Sequence, residues 1–165
     1  MPSIEVFGAT GALHDAIAGV PGDFDLRVAA LESSPDALVV TGVTRSNARH
    51  LDALVPWLHA RGVRRWTQRW PGPVAAGSGP SRLGLVVPRM LHAAVLATRT
   101  GLQVRLLGIP PCLLGPHRHL AGPPEPVDAP WRCGICPGES SCSGVPGSYG
   151  RWYHRDLELR DATQS

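Results

Sequence analysis

Lysine is absent from this chain, and several other features are scarce. All 16 basic residues are arginines, which excludes a phosphate-binding loop that ends in Gly-Lys-Ser/Thr. Aromatic residues make up 5 % of the sequence, and no basic block is interleaved with them, so nucleic-acid binding is not indicated despite a net charge of +3. No Ser-His-Asp arrangement and no pair of carboxylates at a useful spacing stands out.

Long apolar stretches are also missing. No hydrophobic run reaches the roughly 18 residues that a membrane helix needs. The opening residues 1–4 carry neither a basic run nor an apolar stretch of the kind that begins a secretory signal. We therefore expect a cytoplasmic protein without a membrane span, in a compartment where disulfides are rare. A length of 165 residues with 43 % hydrophobic content is enough for one domain with a core.

Along the chain, strand patterns alternate with helix patterns. Four segments have the apolar pattern of short strands: 3–7, 37–44, 63–70 and 102–109. Three segments between them have helical periodicity or helix-terminal residues: 25–31, 46–62 and 88–101. The run 37–44 is nearly continuous in apolar residues, as in a strand covered on both faces of a parallel sheet. This order predicts right-handed crossovers and a parallel sheet.

Two of these helices contain a proline. Pro56 lies inside the second helix, so we expect a kink or a break there. Pro88 fits the first turn of the third helix, where its missing N–H is not needed. Four residues are predicted to share one side of that helix: Leu91, Ala94, Val95 and Thr98.

Four parallel strands with helices on one side make about half of a closed barrel. Residues 1–110 are therefore predicted to form a partial parallel (β/α) barrel of the α/β class, and residues 111–165 an irregular cysteine-rich extension. A half-barrel exposes a long edge strand, which predicts a partner chain or a missing N-terminal half that covers it.

All four cysteines lie in the extension, at Cys112, Cys133, Cys136 and Cys142. A Cys-x2-Cys pair places two thiolates at one turn, which suits one tetrahedral ion or cluster, and the other two would complete four ligands. The extension is rich in proline and glycine, so a metal centre would supply the organisation that burial does not. An iron–sulfur cluster, a structural zinc, and disulfides or inert thiols remain open.

Other residues of the extension also bear on this choice. His117 and His119 would replace a thiolate in a zinc site, or they are ordinary exposed loop residues. Four aromatic residues are predicted to pack the tail onto the barrel: Trp131, Tyr149, Trp152 and Tyr153.

A glycine pattern near the start supports a different function. The residues Val6 to Gly11 read Val-Phe-Gly-Ala-Thr-Gly and resemble the opening of dinucleotide-binding domains, in which glycines admit a pyrophosphate to a helix N-terminus. Here His14 occupies the third glycine position. A nucleotide-binding oxidoreductase relative is therefore one alternative.

Four further pieces follow one another along nearly the whole chain. They are His14-Asp15-x-Ile17-x-Gly19-x-Pro21-Gly22-x-Phe24, then Thr44-Arg45-Ser46-Asn47, then Gly108-Ile109-Pro110-Pro111-Cys112, and last Cys133-x2-Cys136-x5-Cys142-x-Gly144. In this order and spacing they resemble the later half of radical S-adenosylmethionine enzymes, and the tail is similar to the auxiliary-cluster domains that some members carry.

The resemblance implies a cofactor site at the carboxyl ends of the strands. Arg45 would pair with the carboxylate of S-adenosylmethionine through its planar guanidinium, with Thr44 beside it and Asn47 bonded to the ribose or carboxylate. His14 would line the same mouth. The alternative is that Ser46 or Asn47 caps a helix, Arg45 is solvated, and His14 belongs to a turn.

The same family also defines what this chain lacks. The Cys-x3-Cys-x2-Cys motif, which holds the cluster that cleaves S-adenosylmethionine, is absent, so the chain is not expected to be catalytically self-sufficient. We expect a split subunit, a truncated product or a degenerate scaffold whose tail holds a 4Fe-4S cluster, an enzyme only when completed. No cysteine stands three residues after Cys142, so either Cys112 would be the fourth ligand or the site would be left open. A zinc-stapled, non-catalytic interaction module is the other alternative.

Overall fold

The computed structural model describes residues 2–34, 36–73, 80–124, 142, 144–147 and 149. Within these ranges the strands and helices alternate along the chain. In order they are β1 (Ser3–Glu5), α1 (Gly11–Ala18), α2 (Asp23–Ser33), β2 (Leu38–Gly42), α3 (Leu51–Ala60), β3 (Arg65–Arg69), α4 (Leu83–Arg99) and β4 (Gln103–Leu107). Two 3-10 segments precede α3 and follow β4: Ala48–His50 and Pro111–Leu120.

The four strands form one parallel sheet in the order β1-β2-β3-β4. All four predicted strands are therefore confirmed, as is the α/β class. Neighbours in space are neighbours in sequence, which is the order that short right-handed crossovers produce. Within the described ranges the structure shows this open parallel sheet and no closure into a barrel.

The two faces of the sheet differ. One face carries a row of buried side chains that the helices cover: Ile4, Val39, Trp66 and Val104. On the opposite face, Glu5 and Arg105 are exposed, and Leu38 and Val40 of β2 are half-buried. The prediction that β2 is fully covered on both faces was therefore wrong, because Leu38 and Val40 are only half-buried on the second face.

Helix α1 was not predicted as a helix. Thr10 caps it by accepting the N–H of Leu13 at 3.4 Å, and Gly19 ends it with a left-handed φ of 73°. The first buried residue of α1 is a histidine, His14. A helix of eight residues that buries a polar side chain carries little apolar periodicity, so the pattern could not reveal it.

Both prolines lie inside continuous helices. α3 runs through Pro56, so a break there was a wrong prediction, and α4 begins at Leu83, well before Pro88. Each proline is exposed, and water can therefore satisfy the carbonyl that loses its N–H partner. The earlier start also corrects the apolar face of α4, which is formed by Leu83, Val86, Val87, Met90, Ala93, Ala94 and Ala97. Thr98 is exposed.

One continuous core joins the sheet, the helices and part of the extension. Leu114 and Leu120, which follow the predicted boundary at residue 110, belong to it, as do Val145 and Tyr149 of the tail. The packing predicted for Tyr149 is thus confirmed, whereas Trp131, Trp152 and Tyr153 lie outside the described residues. No helix in the described ranges has the length and apolarity to cross a bilayer.

Candidate functional site at the carboxyl ends of the strands

Backbone hydrogen bonds continue past the carboxyl ends of β2, β3 and β4. The N–H of Val43 donates to the carbonyl of Arg69 at 2.7 Å, and the N–H of Trp70 donates to the carbonyl of Leu107 at 2.9 Å. The N–H of Gly72 then returns to the carbonyl of Val43 at 2.8 Å. These bonds fix the loops at the edge of a parallel sheet where ligands usually bind.

Glycines allow the loops to approach one another at this edge. A Cβ on Gly72 would lie 2.5 Å from the carbonyl carbon of Gly42, and a Cβ on Gly108 would overlap the carbonyl oxygen of Trp70. Gly108 also has a φ of 75°. Because the neighbours are backbone atoms, no rotamer change would relieve either contact.

Asn47 ties the ends of β1 and β2 together. It is 1 % exposed, and its Nδ2 donates to the carbonyls of Phe7 at 3.0 Å and Gly42 at 2.9 Å. Its Oδ1 accepts the N–H of Thr44 at 2.8 Å and the hydroxyl of Thr44 at 3.1 Å. These four hydrogen bonds occupy all the donors and acceptors of the side-chain amide. Asn47 therefore stabilises the loop through its buried side chain.

Thr44 and Arg45 lie on the same loop with different exposure. Thr44 is half-buried, and its hydroxyl also accepts the N–H of Asn47 at 3.2 Å. Arg45 is exposed. Of the four residues predicted to bind a cofactor, Arg45 is thus the one whose side chain faces solvent at this edge.

His14 is completely buried between the aromatic rings of Phe7 and Phe24. Its Nδ1 accepts the N–H of Phe7 at 3.0 Å, so the ring proton is on Nε2, which donates to Asp23 at 2.8 Å. Both ring nitrogens are therefore engaged within the protein. Asp23 also binds Arg27, at 2.9 and 3.0 Å, and the hydrogen bonds from Arg27 and then His14 hold the pKa of Asp23 below its ordinary value.

The neighbouring Asp15 closes the turn between α1 and α2. Its carboxylate accepts the N–H of Gly22 at 2.7 Å and that of Phe24 at 2.9 Å, and Gly22 has a φ of 80°. The His-Asp and Gly-x-Phe pieces of the sequence pattern are thus explained by the hairpin of two helices. Asp15 therefore has a turn role, whereas His14, for which a turn was the alternative, lies within helix α1.

The glycine pattern at the start does follow a strand and precede a helix. However, a Cβ on Gly8 would lie 2.8 Å from the side chain of Leu13, and a Cβ on Gly11 would meet Phe24 at an ordinary 3.5 Å. The close approach at Gly8 is therefore to a side chain of α1. Binding of a dinucleotide there stays a prediction without structural support.

The two described cysteines lie in different settings. Cys112 is exposed on the 3-10 segment after β4, and Cys142 is half-buried in the tail. The sulfur of Cys142 accepts the N–H of Gly144 at 3.3 Å, and Gly144 has a φ of 77°. Cys142 thus offers one sulfur atom held by a backbone N–H, an arrangement that is also found at metal centres.

Among the described residues, the other predicted ligands do not form a cluster. Cys133 and Cys136 lie outside the described residues. The rings of His117 and His119 are 6.1 Å apart, and among the described side chains no three His, Cys, Asp or Glu residues gather to hold a metal ion.

The tail returns to the carboxyl edge of the sheet. Val145 is 3 % and Tyr149 1 % exposed, and the ring of Tyr149 packs edge-on against Trp70, with 5.4 Å between centroids. Trp70 directly follows β3, and Cys112 lies in the segment that follows β4. Both described cysteines therefore belong to segments anchored where these adjacent strands end. Trp70 was not identified as part of a site, because nothing local to its sequence indicates a contact so distant along the chain.

A scan against protein-family models, a search of curated proteins and a search of solved structures found no match to this chain.

Proposed function

We propose that this chain binds an iron–sulfur cluster through Cys112, Cys133, Cys136 and Cys142, within a radical S-adenosylmethionine-type protein. The observation that carries the proposal is the N–H of Gly144 donated to the sulfur of Cys142, in a tail docked where β3 ends. Hydrogen bonds to cysteine sulfur are one means by which a protein stabilises and tunes such a cluster.

The fold supports the same proposal at a coarser level. Four parallel strands in sequential order form an open sheet, which is the arrangement that an incomplete barrel would have. A second component that carries Cys-x3-Cys-x2-Cys would complete it. When bound, a 4Fe-4S cluster supplies a one-electron carrier or a site for substrate ligation.

Arg45 would bind S-adenosylmethionine in this proposal. It is exposed on the loop after β2, and its guanidinium matches the planar carboxylate of the cofactor. Thr44 would offer its hydroxyl at the same place. Asn47 and His14 act by holding the strand ends, because their polar atoms are already paired.

Anaerobic reconstitution with Fe²⁺ and sulfide tests the proposal. We expect a brown protein with absorption near 400 nm and about four iron and four sulfide per chain. Cys112→Ser and Cys142→Ser should each lower the iron content, whereas His117→Ala, on the same segment as Cys112, should leave it unchanged. A colourless protein that holds one tightly bound zinc would contradict the proposal that the chain binds an iron–sulfur cluster.

That outcome would support the second candidate, a zinc-stapled module without catalysis. The N–H bond to Cys142 suits a zinc thiolate as well as an iron thiolate. Metal analysis of the protein purified under anaerobic conditions distinguishes the two, since zinc has no absorption in the visible range. The zinc protein should also lose structure in chelator.

The missing component has its own test. Co-expression with a chain that carries Cys-x3-Cys-x2-Cys should give a complex that binds S-adenosylmethionine, and Arg45→Ala should weaken that binding. Arg49→Ala, an exposed arginine four residues along, is the matched control. Equal binding by all three complexes would exclude a cofactor role for Arg45.

A further inference from the structure

The outer side of β1 carries backbone groups that pair with no other strand in the described part of the chain. The carbonyl of Pro2 accepts an N–H from β2 at 3.1 Å, and the N–H of Val6 donates to a carbonyl of β2 at 2.9 Å. Because bonding direction alternates along a strand, the N–H and C=O groups of Ser3 and Glu5 point away from β2. Outward groups of this kind are a template for another strand.

These outward groups are symmetric about Ile4. An antiparallel copy of the same strand, centred on its own Ile4, would bring Ser3 opposite Glu5 of the second copy and Glu5 opposite Ser3 of the second copy. Each such pair exchanges two N–H···O=C bonds, so every outward group would find a partner. A shift by two residues would instead place the two exposed Glu5 side chains opposite each other, and like charges there are destabilising.

Helix α2 extends the same margin on the covered face of the sheet, since it packs against β1. Phe24 of α2 contacts the ring of Trp57 on α3, with 5.6 Å between centroids. Leu26 lies about 200° further around the helix, so it is on the side of α2 that faces away from α3. Leu26 is 67 % exposed. A second copy paired at β1 would place its own α2 beside this leucine.

We propose that two copies of this chain pair through β1, antiparallel and about a two-fold axis, so that both sheets become one and the two α2 helices lie side by side. Pairing of β1 with β4 of another copy is blocked, because Ala121 already bridges to Leu106 on the outer side of β4. Association through strands is thereby restricted to β1 with β1, which closes at a dimer.

This inference goes beyond the proposed function and does not rest on it, since no cysteine takes part. A second component that adds to the sheet at β1 would have to displace the second copy. Failure of cluster binding would therefore leave the dimer untouched, and a monomeric chain would leave cluster binding untouched.

Sedimentation equilibrium of the full chain under reducing conditions is the first test. The contact consists of one short strand and one helix from each copy, so we expect a reversible dimer with a Kd of about 1–100 µM. A chain that stays monomeric up to about 1 mM would overturn the proposal and leave the outer side of β1 to a different partner.

Glu5→Pro tests the backbone pairing. The N–H of Glu5 points outward, so proline removes no bond to β2, and the urea midpoint of the monomer should change little. In the dimer the substitution removes one donated bond from each copy, and the Kd should rise by at least about 25-fold. Glu5→Gln keeps the N–H and should dimerise within about threefold of the wild type. A proline variant that dimerises as tightly as the wild type would overturn the strand pairing.

Leu26→Glu tests the helix contact while leaving the strand intact. Two carboxylates would replace two apolar side chains near the axis, so the Kd should rise by at least about tenfold. Leu85→Glu is the matched control, because Leu85 is 64 % exposed on α4, and its Kd should stay within about twofold of the wild type. Equal Kd values for the two variants would overturn the placement of the second copy beside α2.

Hydrogen exchange identifies the pairing strand. At protein concentrations above the Kd, the amides of Ser3 and Glu5 should exchange at least about tenfold more slowly than in dilute protein. The amide of Ile4 faces β2 and should change little with concentration. A dimer in which the amides of Ser3 and Glu5 exchange as fast as in the monomer would associate elsewhere and would overturn the proposal.

Discussion

A single buried amide, that of Asn47, joins two strand ends to the loop that follows β2. Its four hydrogen bonds reach the carbonyls of Phe7 and Gly42 and both polar groups of Thr44. Truncation would leave several of these groups buried without partners, and an unsatisfied buried group costs more than its bond contributed.

Asn47→Ala should therefore destabilise the protein by about 2–4 kcal/mol, measured as the free energy of unfolding in urea. Asn47→Asp should also destabilise it, because the carboxylate cannot donate to the two carbonyls. Ser46→Ala, at the exposed position beside it, should change stability by less than about 0.5 kcal/mol. Equal stability of all three variants would mean that the network contributes little.

The ion pair between Asp23 and the partly exposed Arg27 predicts a dependence on pH. Hydrogen bonds from Arg27 and His14 lower the pKa of Asp23 below its ordinary 3.8, so its contribution to stability is fully present above pH 3.8 and is lost as pH falls below it. The difference in urea midpoint between wild type and Asp23→Asn should thus be constant near neutral pH and shrink below 3.8. Asp25→Asn, at an exposed position of the same helix, should show no such change.

Gln68 carries the one buried side-chain polar atom without a partner in the described part of the chain. Its Nε2 donates weakly to the carbonyl of Met90 at 3.3 Å, while its Oε1 is unpaired. Gln68→Met removes the unpaired atom and keeps the volume, so it should be neutral or stabilise by about 1 kcal/mol in urea unfolding. Gln103→Met on the exposed end of β4 is the control. A loss of 2 kcal/mol or more would show that the amide is needed.

At the scale of single residues, the sequence patterns identified residues that lie in the loops at the strand ends, but they did not predict the hydrogen bonds that these residues make. His14, Asp15 and Asn47 were all singled out, and all are central to the loops at the strand ends. Their hydrogen bonds, however, run to backbone groups whose positions depend on the fold, such as that between Asn47 and Phe7. A polar residue required by a loop and one required by a ligand look the same in a sequence.

At the scale of elements, glycines decide how closely the loops after β2 and β3 approach. A Cβ on Gly72 would lie 2.5–2.8 Å from backbone atoms of Gly42 and Val43, whereas one on Gly84, within α4, would meet nothing within 4 Å. The two glycines therefore make a matched pair.

Gly72→Ala should destabilise by more than about 3 kcal/mol or prevent folding, since backbone atoms would have to move. Gly84→Ala should stabilise by about 0.5 kcal/mol, because alanine favours the helix and restricts the unfolded chain. Thermal unfolding followed by circular dichroism measures both. A Gly72→Ala protein as stable as the wild type would show that the two loops can separate.

The strands were predictable and the helix boundaries were not. Runs of apolar and β-branched residues such as 37–44 indicate buried strands. Each of the four predicted strand segments contains an observed strand. The start of α4 was missed because Pro88 suggested a first turn, although the sequence before it is apolar enough to continue the helix. Burial of that face against the sheet outweighs one lost hydrogen bond.

On the scale of the whole molecule, the tail and the sheet share a core. Val145 and Tyr149 pack with residues of the strands and of α4, so removing the tail would expose apolar surface around Trp70. The sequence indicated a metal-organised extension, but its docking site depends on contacts between segments that are far apart along the chain.

A chain that ends at Pro124 should lose about 3–5 kcal/mol of unfolding free energy, the usual cost of losing a buried aromatic side chain. It should also bind a hydrophobic dye, because the ring of Trp70 loses its cover. A chain that ends at Gly150 keeps Val145 and Tyr149 and should therefore be more stable than the chain that ends at Pro124. Equal stability of the two truncations would contradict a shared core.

The two margins of the sheet are not equivalent. Beyond β4, Ala121 forms a parallel bridge with Leu106, and the N–H of Gly122 donates to the Leu106 carbonyl at 2.8 Å. Within the described ranges β1 bonds only to β2, so its outer backbone groups face away from the sheet. Among the described residues, only the flank of β1 therefore has backbone groups free to pair with a further strand, because the chain's own backbone occupies the flank of β4.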